Sequence, residues 1–457
     1  MHRVTKRAWI MLVFIGILAG GMLFFLYEYA TCSDEWVISS GSPHVYNNSN
    51  IGCGVVTDRD GLLILDTRNG SAYSPDREIR QSTLHWVGDR SGNIRGAALS
   101  HYAGEMAGFD LLNGVYSYGG AGGEATLTLS AQVQVAALKA LGDRKGTVAV
   151  YNYKTGEILC AVSTPTFDPD NVPDIQGDTT GRYEGVYLNR FTQSTYIPGS
   201  IFKIVTTAAA LDTVTGIEEM QFTCYGIREY GADRVTCERA HGTQNLKAAL
   251  ANSCNCVFAE IAELVGSQAM TNYVQKLGIT QPVTFDGITT ATGNYDVSQA
   301  AAVELAWSCI GQYTDQINPC AFLTFLGAIA NDGVPVQPHV VSEITVGQET
   351  TYRAKKITTA RIMSQETAEK IQELMRNNVQ VKYGADRFAG LTVCAKSGTS
   401  ELGGGLSPNA MFAGFSTDEA YPLAFIVVVE NGGYGATTCI PVLSTVLAAC
   451  KTVLDGK

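Results

Sequence analysis

Ser200 follows Pro198-Gly199 and opens an apolar run, Ser200-Ile-Phe-Lys-Ile-Val205, that reads as the start of a helix. Its side chain would sit at the positive end of the helix dipole, where a developing anion is favoured. Lys203 shares that helix face, because side chains at i and i+3 lie about 5–6 Å apart at Cβ. A serine hydroxyl is a weak nucleophile until a base removes its proton. A lysine desolvated among Ile201, Phe202 and Ile204 has its pKa lowered toward the range where it can do so. By itself the pair reads more readily as a helix cap and a surface lysine.

Two further runs carry usable groups. Ser253-Cys-Asn255 breaks a helical stretch, with Leu246 to Ala251 before it and Val257 to Leu264 after it, so a hydroxyl and an amide can point into one cleft. Lys396-Ser-Gly-Thr399 ends the alternating strand Leu391-Thr-Val-Cys-Ala395, and Gly398 is expected to let a ligand lie close against the strand edge. The stretch Gly390 to Ser397 is not a phosphate-binding loop, since Ala395 replaces the required glycine and a strand precedes the lysine.

The elements that must position these runs are legible in outline. Gly146 to Val150 and Glu157 to Val162 predict two strands joined by a turn at Lys154-Thr-Gly156. Helical patterns follow over Ile201 to Val214, Asn245 to Val265, Val297 to Ile310 and Ala360 to Asn377. Strand-like runs at Leu391 to Ser397, Ala410 to Phe415 and Leu423 to Val429 precede a last helix near Pro441 to Leu454. Helices in the middle with strands at both ends predict an α+β fold: an antiparallel sheet sandwiched by helices, its first and last strands adjacent. Before it, residues 31–140 read as a small α+β pedestal, and Gly119 to Gly123 as a turn or linker. The expected division is 1–30 tail and membrane anchor, 31–140 pedestal and 141–457 catalytic domain.

With 457 residues, 46% of them hydrophobic and 16% charged, the chain can bury the cores of more than one domain. Ala8 to Tyr27 carries no charge and is long enough to cross the roughly 30 Å of a bilayer's hydrocarbon core. Arg3, Lys6 and Arg7 precede it, so the N-terminus is expected in the cytoplasm and the rest outside, on a single uncleaved span. A net charge of −11 argues against a nucleic-acid partner. Of the 12 cysteines, Cys224 and Cys237 flank a turn-like segment and are the expected neighbours, bridged or free. A zinc reading from Cys224, Cys237 and His241 lacks a fourth ligand in the sequence, so no metal and no cofactor is expected.

The order S-x-x-K, S-x-N, K-S-G, at a helix start, a helix break and a strand end, resembles the motif set of the penicillin-recognising serine enzymes. Phe167-Asp-Pro-Asp170, Asn189-Arg190, Tyr196-Ile-Pro-Gly-Ser200, His241-Gly242 and Lys396-Ser-Gly-Thr-Ser400 extend the likeness from about Gly146 to the C-terminus. The chain is similar to class B penicillin-binding proteins. Asp58-Arg-Asp-Gly61, Gly104-Glu105 and Leu112-Asn-Gly114 resemble pieces of that class's N-terminal module, which is short here, with Ser130 standing where an Asp is usual. Cys254 and Ser397 are variants within the motifs.

The resemblance implies a peptidoglycan D,D-transpeptidase in which Ser200 attacks the bond between two terminal D-alanines of a stem peptide and β-lactams acylate the same serine. It implies Lys203 as base, Ser253 and Lys396 as a proton relay, and Asn255 on the substrate amide. Ser397 and Thr399, with Gly398 between them and Lys396 beside them, are implied to bind the terminal carboxylate, and the N–H groups of Ser200 and Thr399 to form the oxyanion hole. Residues 31–140 are too few for a fused glycan polymerase, so a membrane glycosyltransferase and other wall-synthesis proteins are the implied partners. A carboxypeptidase or β-lactamase of the same fold is the enzymatic alternative, disfavoured by the single anchor and the pedestal. A catalytically idle scaffold is the other, disfavoured by the intact Ser200, Lys203 and Lys396. No local motif marks a carboxylate for activating water; Glu260 and Glu263 read as a solvated helix face.

Overall fold

The structure is a computed structural model that describes residues 2–39, 42, 45–48, 50–68, 70–109, 111 and 122–456. The Leu112 to Gly114 piece of the pedestal and residues 119–121 of the glycine turn lie outside the described residues.

A helix over His2–Val37 opens the described residues, and the apolar residues of its span stand exposed, Trp9 at 66% and Phe24 at 65% among them. A free apolar cylinder of that length belongs in a bilayer, and it is the single-pass anchor, with the catalytic domain extracellular. The last helix, Gly435–Asp455, is also long and apolar, but it is a core helix, with Ile440, Leu443 and Leu447 buried against the sheet. It starts earlier than the sequence suggests, because Pro441 lies inside it and does not open it.

The catalytic sheet has five strands: β1 (Gly146–Asn152), β2 (Ile158–Thr164), β3 (Val393–Ser400), β4 (Asn409–Ser416) and β5 (Leu423–Val429), in the order β3-β4-β5-β1-β2. All pairings are antiparallel, and β5 lies beside β1, so the sequence's first and last strands are neighbours as expected. β5 is apolar throughout because it is buried on both faces. Ala424, Ile426 and Val428 enter the core under the middle helices, while Leu423, Phe425, Val427 and Val429 enter the core under the helices Ala131–Leu141 and Gly435–Asp455. Each large side chain so buried contributes about 1.5–3 kcal/mol.

The same alternation sorts β3. Cys394 belongs to the first core, whereas Val393 and Ala395 belong to the second. Lys396, in phase with Cys394, therefore points toward the middle helices, and Ser397 and Thr399 point the other way.

Beneath the catalytic domain a six-stranded sheet runs in the order Glu349–Arg353, Val341–Val346, Glu124–Leu127, Val55–Thr57, Leu63–Asp66, Ala72–Tyr73. Its first two strands form a hairpin from deep in the C-terminal part of the chain, so the pedestal sheet is built from both ends. Ser130 caps the Ala131–Leu141 helix by accepting from Val133 N–H, and the Asp58 carboxylate accepts from Ala131 N–H at 2.9 Å. Asp168, from the Phe167–Asp170 run, takes Arg80 of the pedestal helix Arg77–Val87 in a two-pronged ion pair at 2.7 and 2.8 Å.

Candidate active site

The turn that carries Ser200 is held by its neighbours on both sides. Gly199 adopts φ +55°, and a Cβ there would stand 2.5 Å from the Thr399 carbonyl oxygen, so only glycine fits between the turn and β3. Gly398 completes the contact from the strand, where a Cβ would meet the Pro198 carbonyl at 2.9 Å. Its role differs from the sequence expectation: the space it vacates is filled by the serine's own turn, not by a ligand. The helix begins as a 3-10 turn, Gly199–Phe202, and becomes α-helical at Lys203–Thr213, which brings Lys203 under Ser200.

The break at Ser253 is a helix C-terminus with an unusual residue in it. Cys254 N–H donates to Ala249 O and Ser253 N–H to Leu250 O, the pattern that ends a helix with one left-handed residue, normally glycine. Ser253 takes that position at φ +52°. A side chain at a left-handed position costs strain, and here it aims a hydroxyl between two lysines.

Lys203 and Lys396 are both fully buried, at 0% exposure. Lys203 Nζ lies 2.9 Å from Ser200 Oγ, 2.9 Å from Ser253 O, 3.2 Å from Ser253 Oγ and 2.7 Å from Asn255 Oδ1. Lys396 Nζ donates to Ser253 Oγ at 3.0 Å and to Ser397 O at 2.8 Å. Burial pushes the Lys203 amine down to about 8, partly offset by the nearby cysteine sulfurs. Burial, and then the neighbouring Lys203, drives Lys396 well below the usual lysine range. The structure thus brings Ser200, Lys203, Ser253, Asn255 and Lys396 into one hydrogen-bonded group.

Asn255 has protein partners beside the substrate contact expected of it. Its Oδ1 accepts from Lys203, and its Nδ2 donates to Thr236 O at 2.8 Å, which leaves one amide N–H uncommitted. Ser397 and Thr399 sit together on the half-exposed face of β3. Tyr383, which the sequence reading missed, accepts from Ser397 N–H at 2.9 Å and lies 3.0 Å from Ser397 Oγ. It ends a π-helical turn, Val379–Tyr383, and no local pattern marks it. Since Ser397 N–H points away from β4, Thr399 N–H, two residues on, does so as well. It faces the same side as the N–H groups that open the Ser200 turn, which suits two donors to one oxyanion.

Arg190 pairs with Glu430 at 2.7 Å and Tyr196 OH donates to Glu430 at 2.9 Å, so these motif residues brace the serine's approach segment. Glu260 and Glu263 are not merely solvated: Arg228 holds them at 3.0 and 2.8 Å. The Cys224, Cys237 and His241 trio meets a fourth donor that the sequence reading did not assign to it, Cys254 of the S-x-N run. The Cys224 and Cys237 thiols are both free.

Residues 146–448 match the family model of the penicillin binding protein transpeptidase domain. The peptidoglycan D,D-transpeptidase PbpA of Mycolicibacterium smegmatis is 29% identical over 344 residues, covering 68% of each chain. Stage V sporulation protein D of Bacillus subtilis is 26% identical over 413 residues, 85% of this chain and 60% of that one. Among solved structures, the ceftriaxone acyl-enzyme of penicillin-binding protein A from M. tuberculosis superposes with a TM-score of 0.76 at 23% identity, covering 88% of this chain and 99% of that chain. The D,D-transpeptidase domain of a peptidoglycan glycosyltransferase from Eggerthella lenta gives 0.75 at 25% identity, covering 88% and 98%. Serine, paired lysines and a shared hydroxyl are thus set in a domain that matches this family through all five sheet strands, and the chain belongs to the penicillin-binding protein transpeptidases as a serine-type D,D-transpeptidase of the class B kind.

Proposed function

We propose that Ser200 is the nucleophile and neutral Lys203 its base. The observation that carries this is the count of hydrogen-bonding groups around Lys203 Nζ. Ser253 O and Asn255 Oδ1 are carbonyl oxygens that can only accept, so they take two N–H bonds. A neutral amine then has one lone pair left, and Ser200 Oγ, 2.9 Å away, is placed to donate its proton to it.

Ser200 Oγ attacks the carbonyl carbon between the terminal D-alanines while its proton passes to Lys203. The C–N bond breaks, and the departing D-alanine amine takes a proton relayed through Ser253 and Lys396. The N–H groups of Ser200 and Thr399 hold the oxyanion. A stem-peptide amine then attacks the ester, its proton returns along the same path, and Ser200 is released. Asn255 fixes Lys203 and offers its remaining N–H to the substrate. Ser397 and Thr399 receive the terminal carboxylate, and Gly398 acts by letting the serine's turn close on β3.

A β-lactam mimics the same dipeptide and acylates Ser200, in keeping with the ceftriaxone, imipenem and penicillin G acyl-enzymes of the M. tuberculosis protein. We assign residues 31–140 to a pedestal and 141–457 to the catalytic domain, with the Val341–Arg353 hairpin reaching back into the pedestal sheet. The glycan strands come from a separate membrane glycosyltransferase. Gel labelling of the full chain with a fluorescent penicillin tests the assignment: Ser200→Ala abolishes the band and Lys203→Ala reduces it at least a thousandfold. Labelling that survives Ser200→Ala places the nucleophile elsewhere.

A further inference from the structure

In the proposed reaction the departing and the arriving amine must use one place. Ser253 relays a proton to the leaving D-alanine, and the attacking amine returns its proton through the same hydroxyl, so each nitrogen in turn stands over Ser253. The leaving residue's carboxylate rests on Ser397 and Thr399. Whatever receives the acceptor chain therefore lies beside Ser253 and Ser397.

A cavity of about 400 Å³ is walled by the immediate neighbours of the groups at that position. Asn252 precedes Ser253 at the end of the helix Leu246–Ala251, and Lys382 precedes Tyr383, whose hydroxyl lies 2.9 Å from Ser397 N and 3.0 Å from Ser397 Oγ. Cavities that take small ligands run to about 300–1,000 Å³. Two helix ends form this one. Leu246–Ala251 stops at the left-handed Ser253, and Gln365–Asn378 widens into the π-helical turn Val379–Tyr383, on which Val381 stands 57% exposed.

The lining is cationic, in a chain whose net charge is −11. Lys247 and Lys382 line the cavity with Asn245, Asn252 and Asn377, and no carboxylate does. Glu373 already holds Lys247 at 2.7 Å. Lys382 is exposed and pairs with no carboxylate among the described residues, and the Asn377 side chain makes no hydrogen bond among them. Asn252 gives an amide N–H to Gln244 at 2.8 Å, and the Asn245 oxygen accepts from Ala248 N–H at 3.0 Å, so both amides keep capacity for a ligand. A free ammonium beside uncommitted amides matches a peptide that carries a carboxylate.

We propose that this cavity is the acceptor subsite, holding a second stem peptide with Lys382 on one of its carboxylates and Asn252 and Asn377 on its backbone, while its amine stands over Ser253. The subsite rests on the roles proposed for Ser200, Lys203 and Ser253. In the second half-reaction the acceptor nitrogen bonds to the ester carbonyl carbon, the bond from that carbon to Ser200 Oγ breaks, and the amine proton passes through Ser253 to Ser200 Oγ. Lys382 is then a specificity residue for the acceptor and takes no part in acylation.

The test gives the full chain, in detergent, a D-alanyl thioester donor that acylates the serine and a synthetic acceptor peptide with one free amine and a terminal carboxylate. Cross-linked product against acceptor concentration yields the acceptor KM, and penicillin labelling is read in the same samples. Lys382→Ala should raise the acceptor KM about five- to tenfold, Lys382→Glu should raise it further, and Lys382→Arg should stay near the unaltered chain. The loss should fall on the acceptor KM and not on the rate of penicillin labelling. Amidating the acceptor's carboxylate should cost the unaltered chain the same factor and cost Lys382→Ala nothing more, because the pair is already gone. An acceptor KM unchanged in both Lys382→Ala and Lys382→Glu, or an amidated acceptor that loses equally with and without Lys382, overturns the subsite. So does an unaltered chain that takes penicillin label and forms no cross-linked product. Penicillin labelling needs no acceptor, so failure of the subsite and failure of the catalytic assignment are told apart.

Discussion

Lys203 Nζ and Lys396 Nζ both lie within hydrogen-bond distance of one hydroxyl, Ser253 Oγ, at 3.2 and 3.0 Å. Two buried amines around a single oxygen do not both keep a full positive charge, because burial and mutual repulsion each favour losing a proton. The hydroxyl can pass a proton between them, so the group is suited to store and return the one that Ser200 gives up as the proposed nucleophile.

Acylation should therefore follow the neutral form of Lys203. Its pKa lies at about 8 instead of 10.5, so the base form fills as pH rises through 8 and is lost below it. The second-order rate of penicillin acylation is expected to climb with a midpoint near 8, lying roughly a hundredfold below its plateau at pH 6. Lys203→Arg, which cannot deprotonate in this range, should remove the rise together with the labelling. A flat profile from pH 6 to 9 would exclude lysine as the base.

Gly398→Ala tests the contact between strand and turn. The added methyl would meet Pro198 O at 2.9 Å and Ile201 Cγ2 at 3.0 Å and must push the Ser200 turn off β3. Displacement of a nucleophile by under an ångström costs about ten- to a hundredfold, so acylation should fall by that much with little loss of secondary structure. Wild-type labelling rates in this variant would show that the turn tolerates the methyl.

Tyr383→Phe removes the acceptor of Ser397 N–H and the partner of its hydroxyl. An unmade bond at a largely buried site costs about 1–2 kcal/mol, to be read from the denaturation midpoint. Because Ser397 is the residue it orients, weaker saturation by a D-Ala-D-Ala peptide should accompany a smaller change at saturation. An unchanged midpoint and an unchanged KM would leave Tyr383 without a part in the site.

The penicilloyl ester should persist. Class A lactamases use an additional glutamate to activate water, whereas Glu260 and Glu263 are held by Arg228 on the Ile227–Tyr230 strand. Label lost after removal of free drug should decay over many minutes or longer. Rapid multiple turnover of a chromogenic cephalosporin would turn the assignment toward a hydrolase.

Much of this site is local chemistry and was legible in the sequence. Ser200 and Lys203 share a helix face through a fixed spacing, Ser253 and Asn255 mark a helix break, and Lys396 lies in a strand whose alternation sets the direction of its side chain. The anchor and the doubly buried β5 are likewise properties of uninterrupted apolar runs. Gly398 was legible as a close approach, though which group approached was not.

The rest was decided by tertiary structure. Tyr383 reaches Ser397 from a π-helical turn, Arg228 claims Glu260 and Glu263 across from a hairpin, and the Val341–Arg353 strands complete a sheet begun at Val55. Cys254 stood in plain view inside the S-x-N run, yet its place beside Cys224, Cys237 and His241 depends on where the insert folds back. Periodicity and capping act between residues a few positions apart and leave a signature in composition and spacing. Contacts between distant segments are chosen by packing of the whole chain, and no short stretch of sequence carries that information.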